Sequence, residues 1–170
     1  GASNDPKKIG FAITKNLLES NSKNIQLYLV SKTSSQIGNR KPFSSILEIR
    51  KPITLAILLI PAEIIEKIID ECISQKVQGI IILSAGFSEL NREGKEIQDR
   101  ITVKCKKNGI RLLGPNCVGI QNPQLNLNAS FIQKPLKGNI GLITQSGSFG
   151  AACFWKWNAA LGTYPADRSL

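Results

Sequence analysis

Short apolar runs that alternate with helical patterns constrain this fold more than any other feature of the sequence. The runs occupy residues 25–30, 53–60, 79–84 and 110–113. Each is apolar throughout rather than alternating in polarity, as expected of a parallel strand that is covered on both faces. Because helical patterns lie between the runs, the sequence predicts an α/β fold with a doubly wound parallel sheet.

Helical patterns occupy residues 9–19, 44–49, 62–76 and 92–108. The third places isoleucines on one stripe and charged residues opposite, which predicts an amphipathic helix packed on the sheet. Asp5 and Pro6 suit the N-cap and the first position of the first helix. Gly10, which has no side chain, is expected to let that helix pack closely on a strand.

The organisation of the chain changes near Pro115. Residues 114–119 form a turn cluster, and residues 121–138 are polar, asparagine-rich and low in helical period, so we expect a connector there. A buried strand over residues 138–144 and a helix over residues 149–161 follow. The expected divisions are a first domain at 1–120, a connector at 121–138, and the first strand and helix of an incomplete second domain at 139–170.

Composition excludes several kinds of chemistry for this chain. Histidine is absent from the 170 residues, which excludes serine–histidine and cysteine–histidine nucleophile pairs and metal sites built on histidine. The cysteines are widely spaced and form no C-x-x-C pair, so we expect free, buried thiols, no metal site and no catalytic residue. They are Cys72, Cys105, Cys117 and Cys153.

The net charge of +10, from 22 Lys and Arg against 12 Asp and Glu, favours an anionic partner. A solvated lysine-rich surface would explain the same excess. The sequence has no recognition-helix motif and no strand with paired aromatic residues, so we expect a phosphate-rich small molecule rather than nucleic acid. No apolar run approaches the roughly 20 residues that span a bilayer, and no signal-peptide pattern is present, so we expect a cytoplasmic protein without a membrane partner.

The predicted strand at residues 138–144 runs into a small-residue turn, QSGSFG at residues 145–150. The first turn of the next helix has free backbone N–H groups and a positive dipole end, which together favour an anion. Ser148 is expected to be the N-cap. The sequence therefore predicts phosphate binding at Ser146, Gly147 and Ser148; the alternative is a Gly/Ser turn that joins strand to helix and binds nothing.

Ligands of open α/β sheets bind beyond the carboxyl ends of the strands. The residues after each predicted strand are small, hydroxylated or basic, with one phenylalanine, and they offer phosphate donors, backbone clearance and an apolar wall. The first three residues look like the turn after a further strand, so we expect this chain to be part of a longer protein.

The usual signs of NAD binding are missing. No G-x-G-x-x-G run is present, and Lys32 follows the second strand where an acidic ribose contact would be expected, so a phosphate contact is favoured. Simpler alternatives stay open: Lys32 is an exposed side chain, residues 84–87 form only a turn into the next helix, and Pro61 only ends a strand.

Six short motifs occur in order along nearly the whole chain, to about residue 161. They are GASNDPKKIG at 1–10, IPA at 60–62, ILSAGFSE at 82–89, LGPNCVG at 113–119, LNASF at 127–131 and QSGS at 145–148. Together they resemble the N-terminal part of the nucleoside-diphosphate-forming acyl-CoA synthetases, the superfamily of succinyl-CoA synthetase and ADP-forming acetate–CoA ligase. The resemblance implies a Rossmann-like CoA-binding domain, followed by the start of a flavodoxin-like ligase domain.

The resemblance also implies particular contacts. Lys32 is the least direct match, because the family commonly has an Asn-Pro-Lys type run where this chain has Ser31-Lys32-Thr33. The helix that starts at residues 146–148 would face a phosphorylated histidine. The implied CoA contacts are Ser3, Lys32, Pro61, Ala62, Ser84, Ala85, Gly86, Phe87 and Asn116.

The chain departs from the family in two respects: it has no histidine to be phosphorylated, and it lacks the nucleotide-binding grasp module. The resemblance therefore implies the CoA-binding part of an ADP-forming acyl-CoA synthetase, with CoA and acyl-CoA as ligands. ATP or ADP would be bound by the remaining ligase and grasp domains, in the same or a partner chain. Two alternatives stay open, a sensing region of a protein lysine acetyltransferase and a stand-alone CoA-binding regulator, as does whether this chain is itself an enzyme.

Overall fold

A three-stranded parallel sheet lies at the centre of the computed structural model, which describes residues 1–20, 25–134 and 136–160. Leu58 of the first strand pairs with Ile82 of the second, and Ile81 pairs with Leu113 of the third, so the carboxyl ends of all three strands lie at one edge. This arrangement confirms the predicted α/β fold with a parallel sheet. The strands are β1 (Leu55–Leu58), β2 (Gly79–Ile82) and β3 (Arg111–Leu113), in that order.

The helices of the described residues agree closely with the predicted pattern. The first has the predicted bounds, whereas the helix predicted over residues 44–49 is reduced to a single 3-10 turn capped by Ser45. Within the residues that the structure describes, no helix is both long enough and apolar enough to cross a membrane. The α-helices are α1 (Ile9–Glu19), α2 (Ile65–Ser74), α3 (Arg92–Lys107) and α4 (Gly147–Ala160), and the 3-10 turns are Ile46–Glu48 and Ala62–Ile64.

Helices cover the sheet on both faces. On one face, Ile65 and Ile69 of α2 and Ile101 of α3 are fully buried in the main core. On the other face, Ile13 of α1 packs with Ile81 of β2 in a second apolar cluster. Burying one such side chain contributes roughly 1.5–3 kcal/mol. The cover on both faces explains why the strands are apolar at successive positions.

The segment at residues 25–30 does not form the predicted strand. Val30 makes a single parallel bridge with Phe43, and its carbonyl accepts a hydrogen bond from the N–H of Ala2 at 3.1 Å. The amino group of Gly1 donates to the carbonyl of Leu59, just after β1. A strand needs a backbone neighbour that is hydrogen-bonded along its length, and in the described chain this segment has backbone partners only near its carboxyl end. The first loop therefore lies at the carboxyl edge of the sheet, between Val30 and β1.

A β-hairpin occupies part of the region predicted as a turn cluster and connector. Its strands are β4 (Gly119–Asn122) and β5 (Leu127–Ser130), which pair in antiparallel fashion. The side-chain amide Nε2 of Gln121 lies 3.1 Å from Oδ1 of Asn128 and 2.9 Å from Oγ of Ser130. The amide of Asn16 in α1 donates to the carbonyl of Ser130 at 2.8 Å. Partly buried polar contacts thus hold together a segment that has no apolar run.

The segment at residues 138–144 is not a buried strand. Ile143 is fully exposed and Ile140 is 72% exposed, and the described residues include no ladder to this segment. An apolar strand becomes buried only when strands and helices cover it. α4 starts at Gly147, two residues before its predicted start. Its predicted last residue and the rest of the predicted second domain, residues 161–170, lie outside the described residues, as does residue 135 of the predicted connector.

Candidate functional site

A cleft of about 340 Å³ opens at the carboxyl edge of the sheet. Its walls are the first loop with the start of α1, the segment after β1, and the loop after β2. This is where the strand-end argument predicts a ligand. The lining includes the predicted residues Ser3, Pro61, Ser84 and Ala85, together with Gly1, Lys8, Ile9, Gly10, Leu59 and Ile60, which were not among the predicted contacts.

The wall formed by the first loop depends on a close approach to α1. A Cβ atom at Gly10 would lie 2.8 Å from the carbonyl oxygen of Gly1, so a side chain there would push the helix away. The hydroxyl of Thr14 donates from Oγ1 to the carbonyl of Gly10 at 2.6 Å. Oγ1 of Thr14 also accepts a hydrogen bond from the N–H of Ser3 at 3.3 Å. Ser3 is thereby held, largely buried, at the base of the cleft. The expectation of close packing at Gly10 is confirmed, although the partner is the first loop.

Lys8 brings a positive charge to the cleft at the N-cap position of α1, and no acidic residue occurs in the first turn of this helix. Asp5 does not cap α1 as expected: it accepts from the N–H of Lys7 at 3.0 Å in the turn that precedes the helix. The Lys8 ammonium and the positive end of the helix dipole therefore act together. The strand-end argument does not select Lys8, because this lysine belongs to a helix start; the paired lysines at the predicted start of this helix are the sequence signal that places a positive charge near the sheet edge.

The opposite wall joins the segments that follow the three strands. The N–H of Ile60, after β1, donates to Oγ of Ser84, after β2, at 2.9 Å. The carbonyl of Ser84 accepts in turn from the N–H of Asn116, after β3, at 2.9 Å. Pro61 and Ala85 complete this wall. Ser84 thus links three of the predicted motifs into one surface.

Phe87 does not form the apolar wall expected of it. Its ring is fully buried in the main core, because Gly86, with φ of +105°, turns the chain so that the next side chain points inward. That backbone conformation favours glycine. The apolar surface of the cleft comes instead from Ile9, Ile60 and Pro61.

Four other predicted contacts lie outside the cleft lining: Ala62, Gly86, Asn116 and Lys32. Ala62 is buried, and a Cβ atom at Gly86 would contact its methyl group at 3.7 Å. Asn116 is exposed beside Ser84, and Lys32 is exposed in the loop after the 25–30 segment. Their contacts with a ligand stay predictions.

The start of α4 differs from the predicted anion site in its cap. Ser146, rather than Ser148, is the N-cap: its Oγ accepts from the N–H of Phe149 at 3.2 Å. Gly147 lies so close to Val118 that a Cβ atom there would overlap the valine methyl. The helix start therefore packs against the turn after β3. Phosphate binding at residues 146–148 stays a prediction.

Three of the cysteines are poorly suited to act as nucleophiles. Burial raises the pKa of Cys72 to about 12, and it also raises the pKa values of Cys105 and Cys117. A thiol with a raised pKa carries little of the nucleophilic thiolate near neutral pH. All four cysteines are free, as expected, but only Cys72 and Cys105 are buried; Cys117 and Cys153 are partly exposed, so the expectation of buried thiols is wrong for these two. The cleft lining itself contains no carboxylate side chain and no thiol.

This chain is similar to proteins whose names refer to coenzyme A. A family model described as a CoA binding domain matches residues 1–123. The alpha subunit of ADP-forming acetate–CoA ligase II from Pyrococcus furiosus is 40% identical over 156 residues, and the ADP-forming acetate–CoA ligase from Methanocaldococcus jannaschii is 38% identical over 149 residues. These matches cover 92% and 87% of this chain but only 34% and 20% of the two relatives, so the chain spans about a third of their length or less.

Two solved structures share the fold over nearly the whole chain. A protein from Pyrococcus horikoshii superposes with a TM-score of 0.87 at 39% identity, covering 92% of this chain and 36% of its own. The dinucleotide forming acetyl-coenzyme A synthetase 1 from Ca. Korarchaeum cryptofilum, in complex with phosphate and ADP, gives 0.86 at 28% identity, covering 96% and 34%. The resemblance to nucleoside-diphosphate-forming acyl-CoA synthetases is thus confirmed. The acetyltransferase and regulator alternatives are not favoured.

Proposed function

This chain belongs to the CoA binding domain family, and we propose that it forms the CoA-binding part of an ADP-forming acyl-CoA ligase. The observation that carries the proposal is the convergence of four expected CoA contacts on one cleft. They come from three loops that are far apart in sequence, and the parallel strands bring those loops to one edge of the sheet. The four are Ser3, Pro61, Ser84 and Ala85.

The chemistry of the cleft suits coenzyme A, which joins phosphate groups to a long, weakly polar pantetheine chain. Lys8 and the positive end of α1 would attract a phosphate. Ile9 and Ile60 supply apolar surface for an aliphatic part. The hydroxyl oxygen of Ser84 already accepts from the backbone, which leaves its proton free to be donated to a ligand.

The size of the cleft indicates partial enclosure. Its volume of about 340 Å³ is near the lower end of the range for ligand pockets, about 300–1,000 Å³. One part of CoA would occupy the cleft, and the remainder would lie on the surrounding loops. Lys32 and Asn116, which are exposed on those loops, are the predicted contacts that this arrangement could still reach.

The other steps of the reaction belong to other residues in this proposal. The sequence has no histidine, so the phosphohistidine of the family reaction would come from a ligase domain in the same or a partner chain. ATP or ADP would be bound by a grasp domain. Residues 139–170 would begin the ligase domain, with residues 146–148 facing the phosphate group. A cytoplasmic location completes the proposal.

Calorimetric titration with CoA tests the proposed function. Ala85 is exposed at the cleft, so Ala85→Leu should obstruct binding without entering the core. We expect wild-type protein to bind CoA and this variant to bind at least about tenfold more weakly, or about 1.4 kcal/mol. Ala152→Leu, the matched control, places the same side chain at an exposed position of α4 outside the cleft lining. Absence of CoA binding by the wild type, or an equal loss in both variants, would overturn the proposal.

A further inference from the structure

A carboxylate from outside the cleft lining holds the loop after β2. Oε1 of Glu89 accepts hydrogen bonds from the backbone N–H groups of Gly86, at 2.6 Å, and Phe87, at 3.2 Å. Two successive N–H groups next to a residue of positive φ form a concavity that suits an anion. In this structure the chain's own side chain fills it, and Glu89 is not among the residues of the cleft lining.

We propose that Glu89 is a positioning residue for CoA binding, because its carboxylate fixes the loop that presents Ser84 and Ala85 to the cleft. Resting on the proposed function, this role adds a residue that acts on the ligand only through the backbone of the loop. Glu89 itself is not part of the cleft lining.

Other contacts fix the loop on either side of Gly86, and Glu89 binds the backbone between them. On one side, Ser84 is tied by its bonds with the segments after β1 and β3. On the other side, the Phe87 ring is buried, and its carbonyl accepts from the N–H of Leu90 at 2.9 Å. Gly94, in the first turn of α3, lies so close to the Phe87 carbonyl that a side chain there would overlap it. Between these anchors, the Glu89 carboxylate holds the N–H of Gly86 itself.

The negative charge of Glu89 allows its positioning role to be distinguished from electrostatic repulsion of CoA. Burial raises the pKa of Glu89, whereas hydrogen bonds from the backbone N–H groups of Gly86, Glu89 itself and Phe87 lower it. The combined effect of the hydrogen bonds is the larger, so the pKa of Glu89 lies below its ordinary value. The carboxylate therefore stabilises the loop above the ordinary glutamate pKa, and this contribution is lost as the pH falls through the lowered pKa. A negative charge beside the site would by itself repel the phosphates of CoA. Positioning and repulsion thus predict opposite effects when the carboxylate is removed.

Titration of Glu89 variants with CoA separates the two effects. Glu89→Ala removes both hydrogen bonds, and we expect CoA to bind about tenfold more weakly. Glu89→Gln keeps an acceptor oxygen and loses the charge, so its affinity should stay within about threefold of the wild type. Glu93→Gln, the matched control, removes the same charge from the exposed first turn of α3 and should bind as the wild type does. Unchanged or tighter binding by Glu89→Ala would overturn the positioning role.

Amide hydrogen exchange without ligand tests the loop independently of CoA. The N–H groups of Gly86 and Phe87 should exchange several-fold faster in Glu89→Ala than in the wild type or Glu89→Gln. The amides of β2 should exchange equally in all three proteins, which would show that the core is intact. If the wild type binds no CoA, the proposed function fails, and the exchange rates still decide whether Glu89 fixes the loop. Equal rates for Gly86 and Phe87 in all three proteins would refute that role.

Discussion

Replacement of Lys8 by alanine tests whether the start of α1 forms part of the CoA site. Two unit charges about 4 Å apart interact by about 1 kcal/mol in bulk water and by about 4 kcal/mol near a protein surface of effective dielectric 20. Lys8 is exposed on an open cleft, so the lower part of this range applies. We expect Lys8→Ala to lose about 1–2 kcal/mol of CoA binding free energy, which is about a 5- to 30-fold increase in Kd.

The assay is calorimetric titration with CoA, repeated at low salt and at about 1 M salt, where the Debye length falls to about 3 Å. The deficit of Lys8→Ala should shrink at high salt, and Lys8→Arg, which keeps the charge, should lose little. Lys7→Ala is the matched control because Lys7 is the exposed neighbour outside the cleft lining. An equal loss in Lys7→Ala would show that only net charge matters, and would refute a specific contact at the start of α1.

Two further predictions concern residues outside the cleft lining. Lys32→Ala should reduce the preference for CoA over dephospho-CoA in the same titration; equal affinity of the wild type for both ligands would count against Lys32 as the contact for the 3′-phosphate. Gln121→Glu should lower the free energy of unfolding by about 2–3 kcal/mol at about pH 7, because the new carboxylate would face the oxygens of Asn128 and Ser130. Those oxygens should raise the folded-state pKa of the new carboxyl, so the deficit should shrink as the pH falls through that raised pKa; a deficit in urea unfolding that is equal at about pH 7 and about pH 4 would contradict this explanation.

The longer helices could be predicted because their determinants are local, whereas the segment 44–49 forms only a 3-10 turn. α1 begins and ends at the predicted residues, and α3 ends one residue before its predicted end. The start of α3 is set by Asn91, whose side-chain oxygen accepts from the N–H of Gly94 at 2.8 Å. Caps and apolar stripes of this kind lie within or next to the helix in sequence, and pattern analysis can therefore find them.

Strand prediction was wrong where an apolar segment had no neighbouring strand to form hydrogen bonds along its length. The apolar segments 25–30 and 138–144 have the composition of strands, but in the ranges that the structure describes the first has a single bridge and the second has no ladder. The hairpin at residues 119–130 shows the converse. Gln121 and Asn128 hold it through side-chain hydrogen bonds, which depend on three-dimensional geometry rather than on apolar periodicity.

The location of the site was predictable from topology, whereas the direction of individual side chains was not. The carboxyl ends of parallel strands meet at one edge, so Ser3, Pro61 and Ser84 could be expected to lie together. Phe87 follows a strand in the same way, yet the turn at Gly86 sends its ring into the core. A residue's position after a strand therefore indicates which loop reaches the site, and the backbone conformation of that loop decides what it presents.

The same reasoning identifies residues that control the site without facing a ligand as side chains. Gly10 sets how closely α1 approaches the first loop, Gly86 sets the direction of the loop after β2, and Glu89 holds that loop by its N–H groups. Gly86 and Glu89 lie outside the cleft lining, so changes at these two positions would move a wall of the cleft without altering the identity of any lining side chain. A CoA-binding defect in such a variant would therefore measure the contribution of loop geometry, separately from the proposed direct contacts tested at Lys8 and Ala85.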